Sequence, residues 1–207
     1  MSGRLRPSLV MLDCDGTLFD SFEANRGFYD AILERMGRSP LDPAQQDLAH
    51  RLATPQVLSH LFGDDPDALE RATHVTRSLG YEPFLPLMEP MPGLVETLEW
   101  LHARYRTALV TNRGQTIPTL LRHFDLARHF DLTVGLHDVA RPKPAPDMLL
   151  LCLERFAVSP ERAIYVGDSP GDLEAARAAC VEFVAVGDAT TGTRRIATFA
   201  ELPSLLA

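Results

Sequence analysis

The sequence predicts an α/β protein built on a doubly wound parallel sheet, with an all-helical segment inserted near its start. Two observations carry this prediction. After Gly93, short apolar runs alternate with helical patterns, an order typical of a parallel sheet with helices on both faces. Between residues 21 and 90, apolar residues recur only at helical spacing. We therefore expect a Rossmann-like core from residues 1–20 and 91–207, and a helical insertion from residues 21–90.

The composition is that of an ordinary soluble globular protein. Of 207 residues, 45% are hydrophobic and 23% are charged, and a chain of this length can bury a core without disulfides. The net charge is −8, from 20 basic and 28 acidic residues, which argues against a nucleic-acid partner. The number of cysteines is odd, and their spacing is not that of a metal site, which favours a reducing compartment over a disulfide framework. They are Cys14, Cys152 and Cys180.

The amino-terminal residues do not have the pattern of a targeting signal. The apolar run after the arginines of residues 1–7 is too short for the hydrophobic part of a signal peptide. No apolar segment approaches the length that spans a membrane. We expect a cytoplasmic protein without a membrane partner, and no feature of the sequence indicates an obligate protein partner.

The first predicted strand is the apolar run at residues 9–12. The helical pattern from residue 21 to residue 36 ends at Gly37, a typical helix stop. Proline and glycine then divide the rest of the insertion into short helices. These are predicted at residues 48–52, 57–62 and 69–79, and the proline-rich residues 83–92 are predicted to lead back to the core.

The rest of the chain alternates between apolar runs short enough for strands and longer amphipathic patterns typical of helices. Strands are predicted at residues 107–111, 132–135, 163–167 and 183–186. Helices are predicted at residues 93–104, 116–123, 145–156, 170–179 and 202–206, and a loop at residues 190–195.

Two carboxylates directly follow the first strand, at Asp13 and Asp15. Desolvating a carboxylate is costly unless a cation or hydrogen bonds compensate, so packing alone does not explain them. The two-residue period of an extended chain lets both face the same way, with Cys14 as a small buried spacer on the other side, and Gly16 permits a sharp turn. The pattern indicates a nucleophile, an acid–base partner and an oxygen-ligated cation such as Mg²⁺. Turn or helix-cap carboxylates are the alternative.

Three further polar motifs occur later in the chain. Thr111 and Asn112 end one predicted strand, and Asp168 and Asp172 follow another. Lys143, the only lysine of the chain, lies between two prolines and ahead of a predicted helix. Because ligands of an open α/β sheet bind at the carboxyl ends of its strands, one crevice could collect all four motifs.

In this order the four motifs resemble those of the haloacid dehalogenase-like superfamily of phosphohydrolases. The resemblance extends from the first strand to the sheet's last predicted strand, near residue 186. It is closest to the phosphoglycolate phosphatase-like branch, in which a helical cap follows the first strand. The resemblance implies a Mg²⁺-dependent phosphatase acting on a small phosphomonoester, with the helical insertion as its cap.

The resemblance also implies a role for each motif residue. Asp13 would attack phosphorus and form an aspartyl-phosphate, and Asp15 would protonate the leaving oxygen and later activate water. Lys143 would neutralise the transferred phosphoryl group and the Asp13 carboxylate. Thr111 and Asn112 would hold the phosphoryl oxygens through the hydroxyl and backbone N–H groups, although a helix cap is their ordinary alternative role.

A Mg²⁺ site on Asp168, Asp13 and the backbone carbonyl of Asp15 is part of the same resemblance. Asp172 lies three residues after Ser169, where a helix-capping acid would fall. We expect Asp172 both to cap the helix and to support either the water shell of the metal or Lys143.

The superfamily also contains enzymes with other functions. Dehalogenases lack an acid at the position of Asp15, and the phosphonate hydrolases need a cap lysine, which this chain lacks. A sugar-phosphate mutase and a non-catalytic protein that binds a phosphorylated ligand stay open. Phosphoglycolate, sugar phosphates and nucleoside monophosphates are all open as substrates, and Arg113 receives no role. The candidate substrate contacts in the cap are Asn25, Tyr29, His50, Arg51 and Thr54.

Overall fold

The computed structural model of the chain describes residues 7–188 and 194–207. Numbered along the chain, its strands are β1 (Leu9–Leu12), β2 (Phe19–Asp20), β3 (Glu89–Pro90), β4 (Arg106–Val110), β5 (Leu132–Val134), β6 (Ala163–Gly167), β7 (Glu182–Val186) and β8 (Arg194–Ile196). The α-helices are α1 (Phe22–Arg35), α2 (Pro43–Arg51), α3 (Thr54–Phe62), α4 (Pro66–Leu79), α5 (Leu94–His102), α6 (Ile117–His123), α7 (Asp147–Phe156), α8 (Pro170–Ala178) and α9 (Leu202–Leu206). The predicted α/β class is confirmed.

Six strands form one parallel sheet in the order β5-β4-β1-β6-β7-β8. From β1 the chain adds β4 and β5 on one side, and then adds β6, β7 and β8 on the other, which confirms the doubly wound topology. The direction of winding changes at β1. The carboxyl ends of β4, β1 and β6 therefore border the crevice in which such folds bind ligands.

Strand β1 lies inside the sheet and is buried on both faces. Val10 and Leu12 pack into one apolar cluster, and Leu9 and Met11 pack into the other. This division follows from the two-residue period of a strand between two helical layers. Cys14 joins the cluster of Val10 and is completely buried, as predicted. The acidic residues beside Cys14 therefore stand at the carboxyl edge of the sheet.

Helices α1–α4 and a 3₁₀ turn at Glu82–Leu87 form the helical segment, residues 22–87. Its second to fourth helices begin earlier than predicted because prolines start them. Pro43, for example, occupies the first turn of α2, where a missing N–H costs nothing, and Asp42 caps that helix. Within the described residues, no helix is both long enough and apolar enough to cross a membrane.

Two short pairings were not predicted. Strand β3 pairs antiparallel with β2, although the sequence predicts no strand at residues 19–20 or at residues 89–90. A two-residue strand is too short to show alternation. The loop predicted at residues 190–195 is wrong at residues 194–195, which open β8 and pair with β7. An arginine-bearing edge strand has no apolar run to identify it. Residues 190–193 lie outside the described residues.

Candidate active site

A cavity of about 870 Å³ lies between the carboxyl edge of the sheet and the helical segment. Both parts of the chain contribute to its lining, and Asp172 is buried next to it. The lining includes the core-motif residues Asp13, Asp15, Thr111, Asn112, Lys143 and Asp168, and the cap candidates Asn25, Tyr29, His50 and Thr54.

Lys143 is buried beside the end of β1 and contacts three polar side chains. Its Nζ lies 2.6 Å from Oδ1 of Asp13, 2.7 Å from Oδ1 of Asp172 and 2.8 Å from the Tyr165 hydroxyl oxygen. Burial lowers the pKa of Lys143, but the Asp13 and Asp172 carboxylates outweigh burial and hold this pKa above its ordinary value. The ammonium therefore stays charged while it contacts Asp13.

Asp172 both caps α8 and holds Lys143. Its Oδ2 accepts hydrogen bonds from the backbone N–H of Ser169 at 3.0 Å and from the Ser169 hydroxyl at 2.6 Å. Its Oδ1 accepts from Lys143 and from the Tyr165 hydroxyl, each at 2.7 Å. Both expected contacts of Asp172 are thus present. Tyr165 was not singled out, because a tyrosine on a buried strand is ordinarily a packing residue.

The acidic side chains at this edge fit a divalent cation. Asp13, Asp168 and Asp172 each place an oxygen within 4.8 Å of the others. Burial, and then Asp172, raise the pKa of Asp168 to about 7, and the same two causes raise the pKa of Asp13. A dication would offset this concentration of negative charge, and oxygen ligands suit Mg²⁺. Both oxygens of Asp172 already accept hydrogen bonds, so Asp13 and Asp168 are the carboxylates best placed for the ion.

Gly16 provides the space that Asp168 occupies. Its backbone φ is +76°, and a Cβ at this position would overlap the Asp168 carboxylate. Gly167 plays the same part for Asp172, because a Cβ there would lie 2.7 Å from the Cβ and Cγ of Asp172. Asp168 also accepts a hydrogen bond from the Thr17 hydroxyl at 3.1 Å. The two glycines therefore allow the acidic side chains to come together.

Gly16→Ala is expected to lower the free energy of unfolding more than Gly37→Ala. Both glycines have positive φ, 76° and 68°, and an alanine in that region costs roughly 1–2 kcal/mol. Around Gly37 nothing lies within 4 Å of an added Cβ, whereas at Gly16 the collision adds roughly 1–3 kcal/mol. Urea unfolding of both variants measures the difference. Equal losses would mean that Asp168 does not need the space above Gly16.

Asp15 faces an arginine and not the acidic cluster. Nε and Nη2 of Arg113 donate to Oδ2 and Oδ1 of Asp15 at 2.8 and 2.5 Å, and the Ser21 hydroxyl also donates to Oδ1. The side chains of Arg113 and Asp15 are only 8% and 19% exposed. Burial raises the pKa of Asp15, but the charge and hydrogen bonds of Arg113 outweigh burial and leave this pKa below its ordinary value. Asp15 is therefore ionised in this arrangement.

Arg113, to which the sequence assigned no role, is a second site residue besides Tyr165 that only the structure identifies. It also contacts the helical segment, because its Nη2 donates to the Tyr81 hydroxyl at 3.1 Å and Tyr81 in turn donates to Oδ1 of Asn25 at 2.6 Å. Its guanidinium carbon lies 4.5 Å from the centre of the Tyr81 ring. Its position two residues after Thr111 was the only available signal, and the chain has many other arginines.

Thr111 and Asn112 position the loops around Lys143. The Thr111 hydroxyl accepts the backbone N–H of Arg113 at 3.1 Å. The Asn112 amide donates to the backbone carbonyl of Lys143, and its oxygen accepts the Lys143 N–H, each at 3.1 Å. The Asn112 side chain is thus engaged by the lysine loop. The Thr111 hydroxyl and the backbone N–H groups remain the predicted contacts with a ligand.

The remaining cap candidates have different surroundings. The Tyr29 hydroxyl donates to Oγ1 of Thr54 at 3.1 Å, and burial raises the Tyr29 pKa. His50 packs edge-on against Phe22, with ring centres 5.7 Å apart. Its Nδ1 is buried and, among the described residues, has no hydrogen-bond partner. The side chain of Arg51 lies outside what the structure describes.

The doubly wound sheet defines a Rossmann-like α/β protein. Its cluster of lysine and carboxylates lies at the carboxyl end of β1, where the direction of winding changes and where such folds bind their ligands. The chain belongs to the haloacid dehalogenase-like hydrolase family, whose sequence model matches residues 10–186. This assigns the four motifs to one family, as the sequence resemblance implied.

Two relatives of similar sequence are named as phosphatases. The chain is 32% identical to phosphoglycolate phosphatase 1 of Pseudomonas aeruginosa, over 97% of this chain and 76% of that protein. It is also 32% identical to the fructose-1-phosphate phosphatase YqaB of Escherichia coli K12, over 86% of this chain and 95% of that protein.

Solved structures share the fold over nearly the whole chain. A haloacid dehalogenase-superfamily hydrolase, subfamily IA, from Geobacter sulfurreducens is 36% identical, with a TM-score of 0.79 and full coverage of both chains. A protein described as a putative β-phosphoglucomutase from Thermotoga maritima is 27% identical, with a TM-score of 0.74, covering 96% of this chain and 98% of that chain.

Proposed function

We propose that this protein is a Mg²⁺-dependent phosphatase that hydrolyses a small phosphomonoester through an aspartyl-phosphate. The observation that carries the proposal is the contact between Asp13 and the buried Lys143 ammonium, beside Asp168, in a cavity large enough for a metabolite. A carboxylate held against a cation in a partly enclosed site suits attack on phosphorus. The names of the two relatives support the same reaction class.

In this proposal Asp13 and Asp15 divide the chemistry. An oxygen of Asp13 bonds to phosphorus while the bond from phosphorus to the leaving oxygen breaks, and protonated Asp15 gives that oxygen its proton. In the second step Asp15 takes a proton from water, whose oxygen attacks phosphorus and frees both phosphate and the Asp13 carboxylate. The ionised Asp15 of this structure is the form that accepts the proton from water in the second step. The first step requires that Asp15 take up a proton before the leaving oxygen departs.

The other motif residues bind and orient the phosphoryl group. Lys143 balances its charge next to Asp13, while the Thr111 hydroxyl and the backbone N–H of Asn112 hold its oxygens. Asp13, Asp168 and the Asp15 carbonyl would hold Mg²⁺, with Asp172 acting through Lys143. When bound, the ion supplies positive charge that polarises the phosphoryl oxygens.

We further propose that residues 21–90 are a cap domain and that residues 1–20 and 91–207 are the catalytic core. The cavity lining supports this division, because α1 and α2 contribute Asn25, Tyr29 and His50 opposite the motif residues of the sheet edge. A cap in this place would exclude water from the reaction and contact the part of the substrate beyond the phosphate. The three cysteines are free thiols, which supports the cytoplasm as the location.

A sugar-phosphate mutase is the second candidate. It is favoured by the structural similarity to the Thermotoga maritima protein described as a putative β-phosphoglucomutase. A mutase would need the same core residues and would, in addition, return the phosphoryl group to a bound sugar. The names of the two relatives favour hydrolysis, with a phosphorylated carboxylic acid or a sugar phosphate as the class of small metabolite.

Phosphate release from a panel of phosphomonoesters tests the proposal. With Mg²⁺ we expect turnover of at least one of phosphoglycolate, fructose 1-phosphate, glucose phosphates or nucleoside monophosphates. EDTA should abolish that turnover, and excess Mg²⁺ should restore it, because the site has no other divalent charge to balance Asp13 and Asp168.

Three results would contradict this proposal. Turnover that persists in EDTA would remove the metal from the mechanism. Conversion of one sugar phosphate into another without phosphate release would identify a mutase. Binding of a panel member, seen as a rise in melting temperature without any turnover, would identify a non-catalytic binding protein.

A further inference from the structure

Arg113 connects the sheet edge with the helical segment. On the core side, its Nε and Nη2 hold both oxygens of Asp15. On the other side, Nη2 contacts the Tyr81 hydroxyl at 3.1 Å and Oδ1 of Asn25 at 3.5 Å. The guanidinium is buried between these groups. Neutralising Asp15 alone would not require a link to the helical segment.

We propose that Arg113 is a positioning residue that fixes the orientation of the Asp15 carboxylate and links it to Tyr81 and Asn25 of the helical segment. Acid–base catalysis by Asp15 then depends on contact between the helical segment and the core. This inference rests on the proposed function, in which Asp15 transfers the proton. It is separate from that function, because a phosphatase could operate with Asp15 held in another way.

The geometry favours a positioning role over simple charge balance. A guanidinium fork that donates to both oxygens of a carboxylate fixes its plane, which an ammonium cannot do. The Tyr81 ring lies against the guanidinium and limits its rotation. Tyr81 is itself held by Phe28, with ring centres 5.1 Å apart. The orientation of Asp15 is therefore determined by packing within the helical segment.

The same contacts indicate what the loss of Arg113 would do. A proton matters most to an alkoxide, which is a poor leaving group, and least to p-nitrophenolate, which leaves without one. A variant in which Asp15 is misplaced should therefore lose more activity on alkyl phosphates than on p-nitrophenyl phosphate. A variant that has lost a phosphate-binding cation should lose activity equally on every phosphomonoester.

Arg113→Met should be compared with wild type on p-nitrophenyl phosphate, glycerol 1-phosphate and phosphoglycolate. We expect kcat to fall by about 100-fold on the two alkyl esters, and by less than about 10-fold on p-nitrophenyl phosphate, with little change in KM. Arg113→Lys should not restore the alkyl-ester activity. Arg155→Met removes an exposed arginine at the end of α7, outside the cavity lining, and should leave kcat on all three esters unchanged.

A double variant tests whether Arg113 acts through Asp15. Asp15→Asn combined with Arg113→Met should be no slower on glycerol 1-phosphate than Asp15→Asn alone, because the effects of coupled residues do not add. The double variant also avoids a buried, unpaired Asp15.

Should Arg113→Met not fold, Tyr81→Phe removes a single hydroxyl and is expected to show a smaller loss with the same dependence on the leaving group.

Several outcomes would overturn this role. Equal loss on all three esters would make Arg113 a ligand of the phosphoryl group. Loss confined to phosphoglycolate would make it a ligand of the substrate carboxylate. A further loss in the double variant would show that it does not act through Asp15. If wild type hydrolysed no phosphomonoester, the proposed function itself would fail, and the role of Arg113 with it.

Discussion

Asp13→Asn is expected to lower kcat by at least about 10⁴-fold, because loss of a nucleophile removes the covalent route altogether. The amide has the shape of the carboxylate and can still accept the hydrogen bond that Lys143 makes at 2.6 Å. It cannot form a stable bond to phosphorus. Phosphate release from the best substrate of the wild-type protein, with saturating Mg²⁺, is the measurement.

The same substitution is expected to preserve or raise stability in EDTA. Burial, and then Asp172, raise the pKa of Asp13 above its ordinary value of 3.8, despite the opposing effect of Lys143. A carboxyl group with a raised pKa in the folded state favours folding below its unfolded pKa, and loses that contribution as pH rises through the folded pKa. Asparagine carries no charge at any pH, so the variant does not lose this contribution in the metal-free protein. The melting temperature should be equal to or above that of wild type.

Asp64→Asn is the matched control, because it makes the same chemical change on an exposed residue outside the cavity lining. It should change neither activity nor melting temperature by a measurable amount. Full activity in a folded Asp13→Asn protein would disprove the assignment of the nucleophile. A lower melting temperature together with lost activity would instead show that the amide disturbs the fold.

Lys143→Met is expected to reduce both activity and stability. Removing the ammonium takes away the charge next to Asp13, and loss of one such electrostatic donor costs about 10²–10³-fold in kcat. It also leaves Asp13 and Asp172 buried without their cation, which costs about 3–5 kcal/mol of unfolding free energy for a broken buried pair. Kinetics with saturating Mg²⁺ and urea unfolding in EDTA measure the two effects.

A second substitution separates the two effects. Asp172→Asn in the Lys143→Met background removes one of the stranded charges, so stability should partly return while activity stays low. Recovery of activity along with stability would mean that Lys143 has only a structural role. Lys143→Arg keeps the charge, but its forked guanidinium is not expected to reproduce the three contacts of the ammonium, so activity should stay low.

Arg155→Met provides the control for deleting a cation, because Arg155 is exposed on the end of α7 and outside the cavity lining. It should leave both kcat and stability near wild type.

Lys143 is also the only lysine of the chain, so lysine-specific isotope labelling gives one side-chain signal. That signal should shift when phosphate binds; an unchanged signal would argue against contact of Lys143 with the phosphoryl group.

Much of the fold follows from local sequence pattern. The apolar run at residues 9–12 and the later β–α alternation predict parallel strands, because such strands are buried on both faces. The pairing of β2 with β3 could not be predicted, because it depends on chain segments distant in sequence. The first residues of α2 and α4 could not be predicted, because a proline is as typical of a loop as of the first turn of a helix. Only the N-cap geometry distinguishes the two.

The sequence by itself determined the family motifs and the edge of the sheet where they meet. Asp13, Lys143 and Asp168 each follow a recognisable local pattern, and a strand fixes the direction in which its end points. Only the tertiary structure decided which residues hold these groups in place. Tyr165 joins Lys143 to Asp172, and Arg113 joins Asp15 to the helical segment. Lys143 and Tyr165 are 22 residues apart, and Arg113 and Tyr81 are 32 apart, so side-chain packing and not sequence spacing selects these partners.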